Sequence, residues 1–152
     1  MIEISLDEKQ LHAGLSQLLK NATNTRPMMR AIATEMVSMT EDNFENENWG
    51  GQKWEGEDDG KSKRVIAEGG KTLQLTGQLA ASISTQVGND FARIGSNKPY
   101  AAIHHLGGQA GRRKKVTIPA RPYLPINGNG QLQKGAERSL LDIALKSLSK
   151  GL

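Results

Sequence analysis

The sequence predicts an α+β fold in which amphipathic helices near the N- and C-termini pack on a small antiparallel β-sheet. Apolar residues recur at three- and four-residue intervals toward both ends of the chain, while residues 83–94 switch to alternation of period two around a turn. Clusters of glycine and proline punctuate the stretch between, which leaves room only for short strands.

After a short alternating start at Ile2, Ile4 and Leu6, Asp7 stands where an N-cap belongs, and Gln10 is placed to complete a capping box. Leu11, Leu15, Leu18 and Ala22 follow at helical spacing, which predicts a first helix from Asp7 to about Asn21. A second begins near Thr25, with Pro27 tolerated in its first turn, and runs along Met29, Ile32, Met36, Met39 and Phe44 to about Asn46. A methionine row at this spacing reads as core. From Asn48 to Gly70 the pattern gives way to Gly, Asp, Glu and Lys, predicting a long exposed loop at about 48–70. Thr76 suits the N-cap of a short helix bearing Leu79 and Ala80. Ile83, Thr85 and Val87 then alternate, Gly88-Asn89-Asp90 turns, and Phe91 to Ile94 return as the second strand of a hairpin. Pro99 to Leu106 fits one or two helical turns ended by Gly107-Gly108, with Val116–Ile118 and Tyr123–Ile126 as further strands and Asn127 to Gly130 as a turn. A last helix over Gln131 to Leu148 carries Leu132, Ala136, Leu140 and Ile143 on one stripe and Leu141, Leu145 and Leu148 beside it.

A chain of 152 residues with 36% apolar content is read as one domain spanning 1–152. It has no cysteine, so neither a disulfide framework nor a thiolate zinc site is available. Acids precede any apolar run at the N-terminus and no stretch approaches a membrane span, so a soluble protein made in the cytoplasm, without membrane contact, is expected. The net charge of +4 hides a split: residues 1–60 hold twelve acids against five Lys or Arg, net −7, and residues 61–152 hold four against fifteen, net +11. Such opposite segments either neutralise each other or stay solvated within one copy, or meet head to tail in neighbouring copies and build rings or stacks.

Little in the sequence points to catalysis. His104 and His105 are adjacent and therefore diverge on a helix, and His12 lies far away without a metal-binding spacing, so no metal site or cofactor is indicated. The expected arrangement has His104 facing inward with Ala101 and His105 solvated or at an interface. No nucleophile elbow is present, and the acids crowd into helical or loop segments where no carboxylate pair across a cleft is suggested.

The stretch from Lys98 to Ile126, KPYAAIHHLGGQAGRRKKVTIPARPYLPI, holds most of the candidates for contact with other molecules. Arg112, Arg113, Lys114 and Lys115 form a run of cations beside glycines, either a solvated loop or one suited to the acids of another copy, ahead of phosphates, since only Tyr100 and Tyr123 are near as aromatics. Arg121 sits between Ala120 and Pro122 on a stiff extended backbone, ready for a carboxylate either inside the fold or on a neighbour, unless IPARP merely shapes a chain reversal. Trp49 and Trp54 either anchor their loop on the body or become buried against a partner. The interface candidates are therefore Trp49, Trp54, Tyr100, His105, Arg112, Arg113, Lys114, Lys115 and Arg121.

The order of TGQLAASI, IGSNKPYAAIHHLGG, a basic loop, VTIPARPYLPI and a C-terminal amphipathic helix resembles the phage virion morphogenesis family, the tail completion proteins of Mu-like and related long-tailed phages. The resemblance covers roughly residues 25–150, with the segment around Trp54 similar to a Gly- and Trp-bearing region of that family. Where His105 and Pro125 stand, the family often has Gln and Gly. The resemblance implies a structural, non-enzymatic role: copies form a ring that finishes the head-proximal end of the tail and helps join it to the head, alongside other tail and neck proteins. It further implies a location in the host cytoplasm during assembly and then in the virion. The alternative is a small basic module making non-specific contact with DNA at the joint.

Overall fold

The longest helix, α2, owes its place to one continuous face. In the computed structural model, which describes residues 8–54, 78–114 and 116–152, α1 spans Glu8–Thr23 and α2 spans Arg26–Asn46. Pro27 lies in the first turn of α2, where its missing N–H breaks no helical bond, and the Thr25 hydroxyl donates to the carbonyl of Asn89 instead of capping its own helix. Ala33, Met36, Met39, Thr40, Asn43 and Phe44 are buried along one side at the three- and four-residue spacing of a helical stripe. The helix stops at Glu47, which adopts left-handed φ 52° and returns its N–H to the carbonyl of Asn43.

Strands β1 (Asn48–Trp49) and β2 (Gln52–Lys53) follow as a tight hairpin, turning through Gly50 at φ 59° and Gly51 at φ 97°. Two consecutive positive φ values are what a two-residue hairpin turn requires, and glycine meets them without strain. The exposed loop expected at about 48–70 is thus ordered in its first part, and residues 55–70 lie outside the described residues, as do the expected caps at Asp7 and Thr76 and the alternating start at Ile2 to Leu6. A short helix α3 (Gln78–Ala81) buries Leu79 and leads into β3 (Ile83–Val87), which pairs antiparallel with β4 (Ala92–Ser96) in the expected hairpin. Helix α4 (Ala101–Leu106) ends at Gly107, and an unforeseen strand β5 (Gly108–Ala110) pairs with β6 (Val116–Ile118) across a 3-10 turn at Arg112–Lys114. The C-terminal helix α5 spans Ala136–Leu148. Helices and antiparallel strands therefore make the expected α+β fold, with the described strands arranged as three two-stranded ladders. Helix α2 packs on α5, on the β3–β4 hairpin and on β1, while α1 lies on α5.

Phe44, Trp54, Leu79, Ala101 and Tyr123 form the core cluster. The Phe44 and Tyr123 rings stack at 5.0 Å, and Trp54 meets Phe44 edge-on at 6.1 Å. Residues 123–126 do not form the expected strand beyond a single bridge between Ile126 and Leu132. The reason is that Pro122 and Pro125 supply no N–H to a ladder, and most of the remaining backbone groups bond to side chains. Asn43 Nδ2 donates to Tyr123 O (3.0 Å), Trp49 Nε1 to Leu124 O (2.8 Å) and Trp54 Nε1 to Pro122 O (2.7 Å). The N–H groups of Tyr123 (3.1 Å) and Leu124 (3.4 Å) point at His105 Nδ1, so that nitrogen accepts, and Nε2 carries the proton it donates to Ile126 O at 2.7 Å. The last helix likewise starts later than Gln131, because Gln133 gives its N–H to Pro125 O and Gly135 takes φ 84° at the N-cap.

Asn43 is 1% exposed and also donates to Gln133 Oε1 (2.7 Å) while its Oδ1 accepts from Gly50 N (3.1 Å). Asn43→Ala strands three buried or half-buried partners at once and is expected to cost about 2–4 kcal/mol, read as a lower urea midpoint at unchanged slope. A pH dependence follows from His105, whose pKa is held below the ordinary 6.5 chiefly by burial, partly offset by the bond to Ile126. Between the folded-state value and 6.5 the unfolded chain binds a proton that the folded protein refuses, so stability rises with pH there and is lost as pH falls through that window. The melting temperature should therefore drop on acidification below neutrality, and His105→Gln, which keeps a donor and an acceptor without titrating, should flatten that drop.

Candidate interaction site

Of the nine residues singled out for contact, three serve the fold itself. Trp49, Trp54 and His105 hold the Pro122–Ile126 segment from behind, and Trp54 and His105 are only 8% and 7% exposed. The tryptophans anchor their hairpin on the body within this one chain. The histidine pair is turned opposite to expectation: His105 is the buried ring, edge-on to Tyr123 at 4.9 Å, and His104 is half-buried. The reversal arises because the bonding groups of the proline-rich segment lie on the His105 side of α4. His104 instead meets Tyr100 edge-on at 5.8 Å, and its pKa is lowered by burial and then by the Arg121 charge. Its Nδ1 is buried without a hydrogen-bond partner, which suits a neutral ring. Tyr100 is half-buried and directs its hydroxyl at Gln78 Oε1, 3.5 Å away.

Arg121 donates its backbone N–H to His104 O at 2.9 Å and so ties the strand leaving the β5–β6 hairpin to α4. Gly107 completes this base: with φ 75°, an added Cβ there would lie 2.8 Å from the backbone nitrogen of Ala120. Only glycine allows the two chain segments to approach so closely. From this fixed base the hairpin projects its turn, where Arg112 and Arg113 are exposed and make no hydrogen bond or ion pair with any described residue. Arg113 itself sits at φ 60°, ψ 22°, a left-handed conformation uncommon for a side chain of its size. Lys114 closes the same turn, and Lys115 lies outside the described residues.

A feature that sequence reasoning missed lies across α2. A groove of about 360 Å³ runs between the C-terminal half of α2 and the α3–β3 segment, lined by Val37, Phe44, Ala80 and Ile83 and rimmed by Glu41 and Glu45. Its only signal in the sequence was acids at Glu41 and Glu45, one turn apart on the flank of a buried stripe. Asn43 was also missed, although an amide four residues beyond Met39 on the apolar stripe marks a buried polar group. Among the described residues no three His, Asp or Glu side chains are grouped so as to hold a metal ion, and no helix is long and apolar enough to cross a membrane.

Mu-like prophage FluMu G protein 2 of Haemophilus influenzae is 40% identical over 125 residues, covering 82% of this chain and 83% of that protein. Putative capsid assembly protein G of Escherichia phage Mu is 32% identical over 157 residues, covering 99% and 96%. Mu-like prophage FluMu G protein 1 of Haemophilus influenzae is 31% identical over 134 residues, covering 85% and 86%. No solved structure matches the chain. The model of the phage virion morphogenesis family matches residues 6–149, from the start of α1 to just past the end of α5, and the chain belongs to that family.

Proposed function

We propose that the chain is a structural, non-enzymatic virion component that completes the head-proximal end of the phage tail and helps join it to the head by assembling into a ring. The observation that carries this reading is the β5–β6 hairpin, a stiffly based arm whose Arg112 and Arg113 side chains have no partners among the described residues. A cationic arm on a body that also exposes the acids Glu41 and Asp42 suits docking to copies or to tail and neck proteins. The phage Mu relative named as a putative capsid assembly protein supports a place on the head side of the particle. His105, spent on backbone bonds of the fold, is unsuited to acid–base work. The protein would act in the host cytoplasm during assembly and remain in the virion.

The exposed arginines also support a second reading, non-specific contact with DNA at the joint. Deleting the coding sequence from the phage that carries it should leave tails with unfinished head-proximal ends and heads without tails, seen by electron microscopy and restored by supplying the protein. Intact, joined particles would remove the role. For the second reading, duplex DNA binding should weaken steeply with salt, and neutralising the arm should lower the logarithmic salt slope by about 0.9 for each phosphate it no longer neutralises. Binding without salt dependence, or none, dismisses it.

A further inference from the structure

We infer that the groove between α2 and the α3–β3 segment receives Arg112 or Arg113 of a second copy, so that each protomer's arm docks on the next protomer's α2. The inference rests on the ring reading above and names the contact that would build it. The groove has the composition that an arginine side chain needs. Val37, Ala80, Ala81 and Ile83 offer apolar surface for the aliphatic stem, and Glu41 and Glu45 stand at the rim where a guanidinium would emerge. Glu41 is exposed and has no hydrogen-bond or ion-pair partner among the described residues, and the same holds for Arg112 and Arg113.

Complementary charges that have no partner among the described residues, on elements as fixed as a helix and a stiffly based hairpin, are suited to pair between copies. Because arm and groove are different surfaces, the contact is heterologous: it propagates in one direction and either closes into a ring or continues as a stack. Self-pairing of two identical patches would give only a dimer. A single nucleic-acid strand is the less suited occupant of the arm, because among the described residues no aromatic ring is free beside it to stack on bases: Tyr123 is 1% exposed and Tyr100 is engaged with His104.

The natural chain has no cysteine, so single cysteines report on single contacts. Full-length Arg113→Cys and Glu41→Cys proteins, mixed under mild oxidation in solution and in phage lysates, should form a cross-linked dimer that neither forms alone. A chain carrying both substitutions should give a ladder of larger species. Glu41→Lys should weaken self-association about a hundredfold in sedimentation experiments, as like charges are brought together. Adding Arg112→Glu and Arg113→Glu to that chain should recover a large part of it. Thermal unfolding of each variant, expected to match the parent, shows that the fold is kept. Self-association that persists with no Arg113–Glu41 cross-link and no effect of Glu41→Lys overturns the contact and leaves the ring reading standing. No self-association in solution or in lysates removes both. Salt-dependent duplex DNA binding through Arg112 and Arg113, without the cross-link, assigns the arm to DNA and also overturns the contact.

Discussion

Two prolines place the chain from Pro122 to Ile126 under a constraint that organises the molecule around it. With no N–H at Pro122 or Pro125, this extended segment cannot be held as an interior strand, yet Tyr123 and Pro125 are buried and their polar backbone groups need partners. Every carbonyl from Pro122 to Ile126 accepts a hydrogen bond from outside the segment. The donors are Trp54, Asn43, Trp49, the backbone of Gln133 and His105. Each bond contributes only about 1 kcal/mol net, but each donor left without its acceptor, or the reverse, costs more than the bond gains. The consequence is mutual dependence: α2, the β1–β2 hairpin, α4 and the turn before α5 are placed by one strap that none of them contains.

That dependence explains what could and could not be read from the sequence. Helix α2 was legible because its burial follows a local rule, three- and four-residue spacing, and the β3–β4 hairpin because Ile83, Thr85 and Val87 alternate into a Gly-Asn-Asp turn. The β5–β6 hairpin was half legible: Val116–Ile118 has strand composition, whereas Gly108-Gln109-Ala110 has none and is a strand only because β6 lies beside it. The directions of His104 and His105 were not legible, since their neighbours in sequence treat them alike. The choice is made by Tyr123, Leu124 and Ile126, some twenty residues away. Trp49 and Trp54 sat in a stretch whose Gly and charge content says loop, and their indole N–H groups are satisfied by acceptors about seventy residues distant. The arm's cations were visible as a run, but the groove was not, because it forms only where α2 meets a segment some forty residues further along the chain.

The charge split acquires a physical form in this architecture. Along α2, the flanks of the buried stripe carry Glu41, Asp42 and Glu45 on the outside, while Arg112 and Arg113 of the basic half stand at the turn of a two-stranded arm. Among the described residues the side chains of Arg112, Arg113, Glu41 and Asp42 have no hydrogen-bond or ion-pair partner. At physiological ionic strength such charges act over a range of about 8 Å, enough to orient an approaching surface and too short to hold one without close contact. In the proposed contact between copies, charge selects the docking face and the apolar walls of the groove supply the contact area.

A similar division holds at the ends of the chain. Helix α1 is held to α5 in part by Asn21, whose amide donates to Leu148 O and Lys150 O at 2.8 Å each and so satisfies carbonyls left open where α5 ends. Leu15 and Leu19 of α1, and Leu141 and Leu145 of α5, nevertheless remain exposed by half or more. The broad apolar face expected of the last helix is thus split: Leu140, Ile143 and Leu148 turn partly inward, while Leu141 and Leu145 look out. A helix tied down by directed hydrogen bonds at one end and little apolar burial along its length opens more easily than one seated in a core. The proline strap and its side-chain donors thus make a stiff centre, and α1 lies outside it, held through α5.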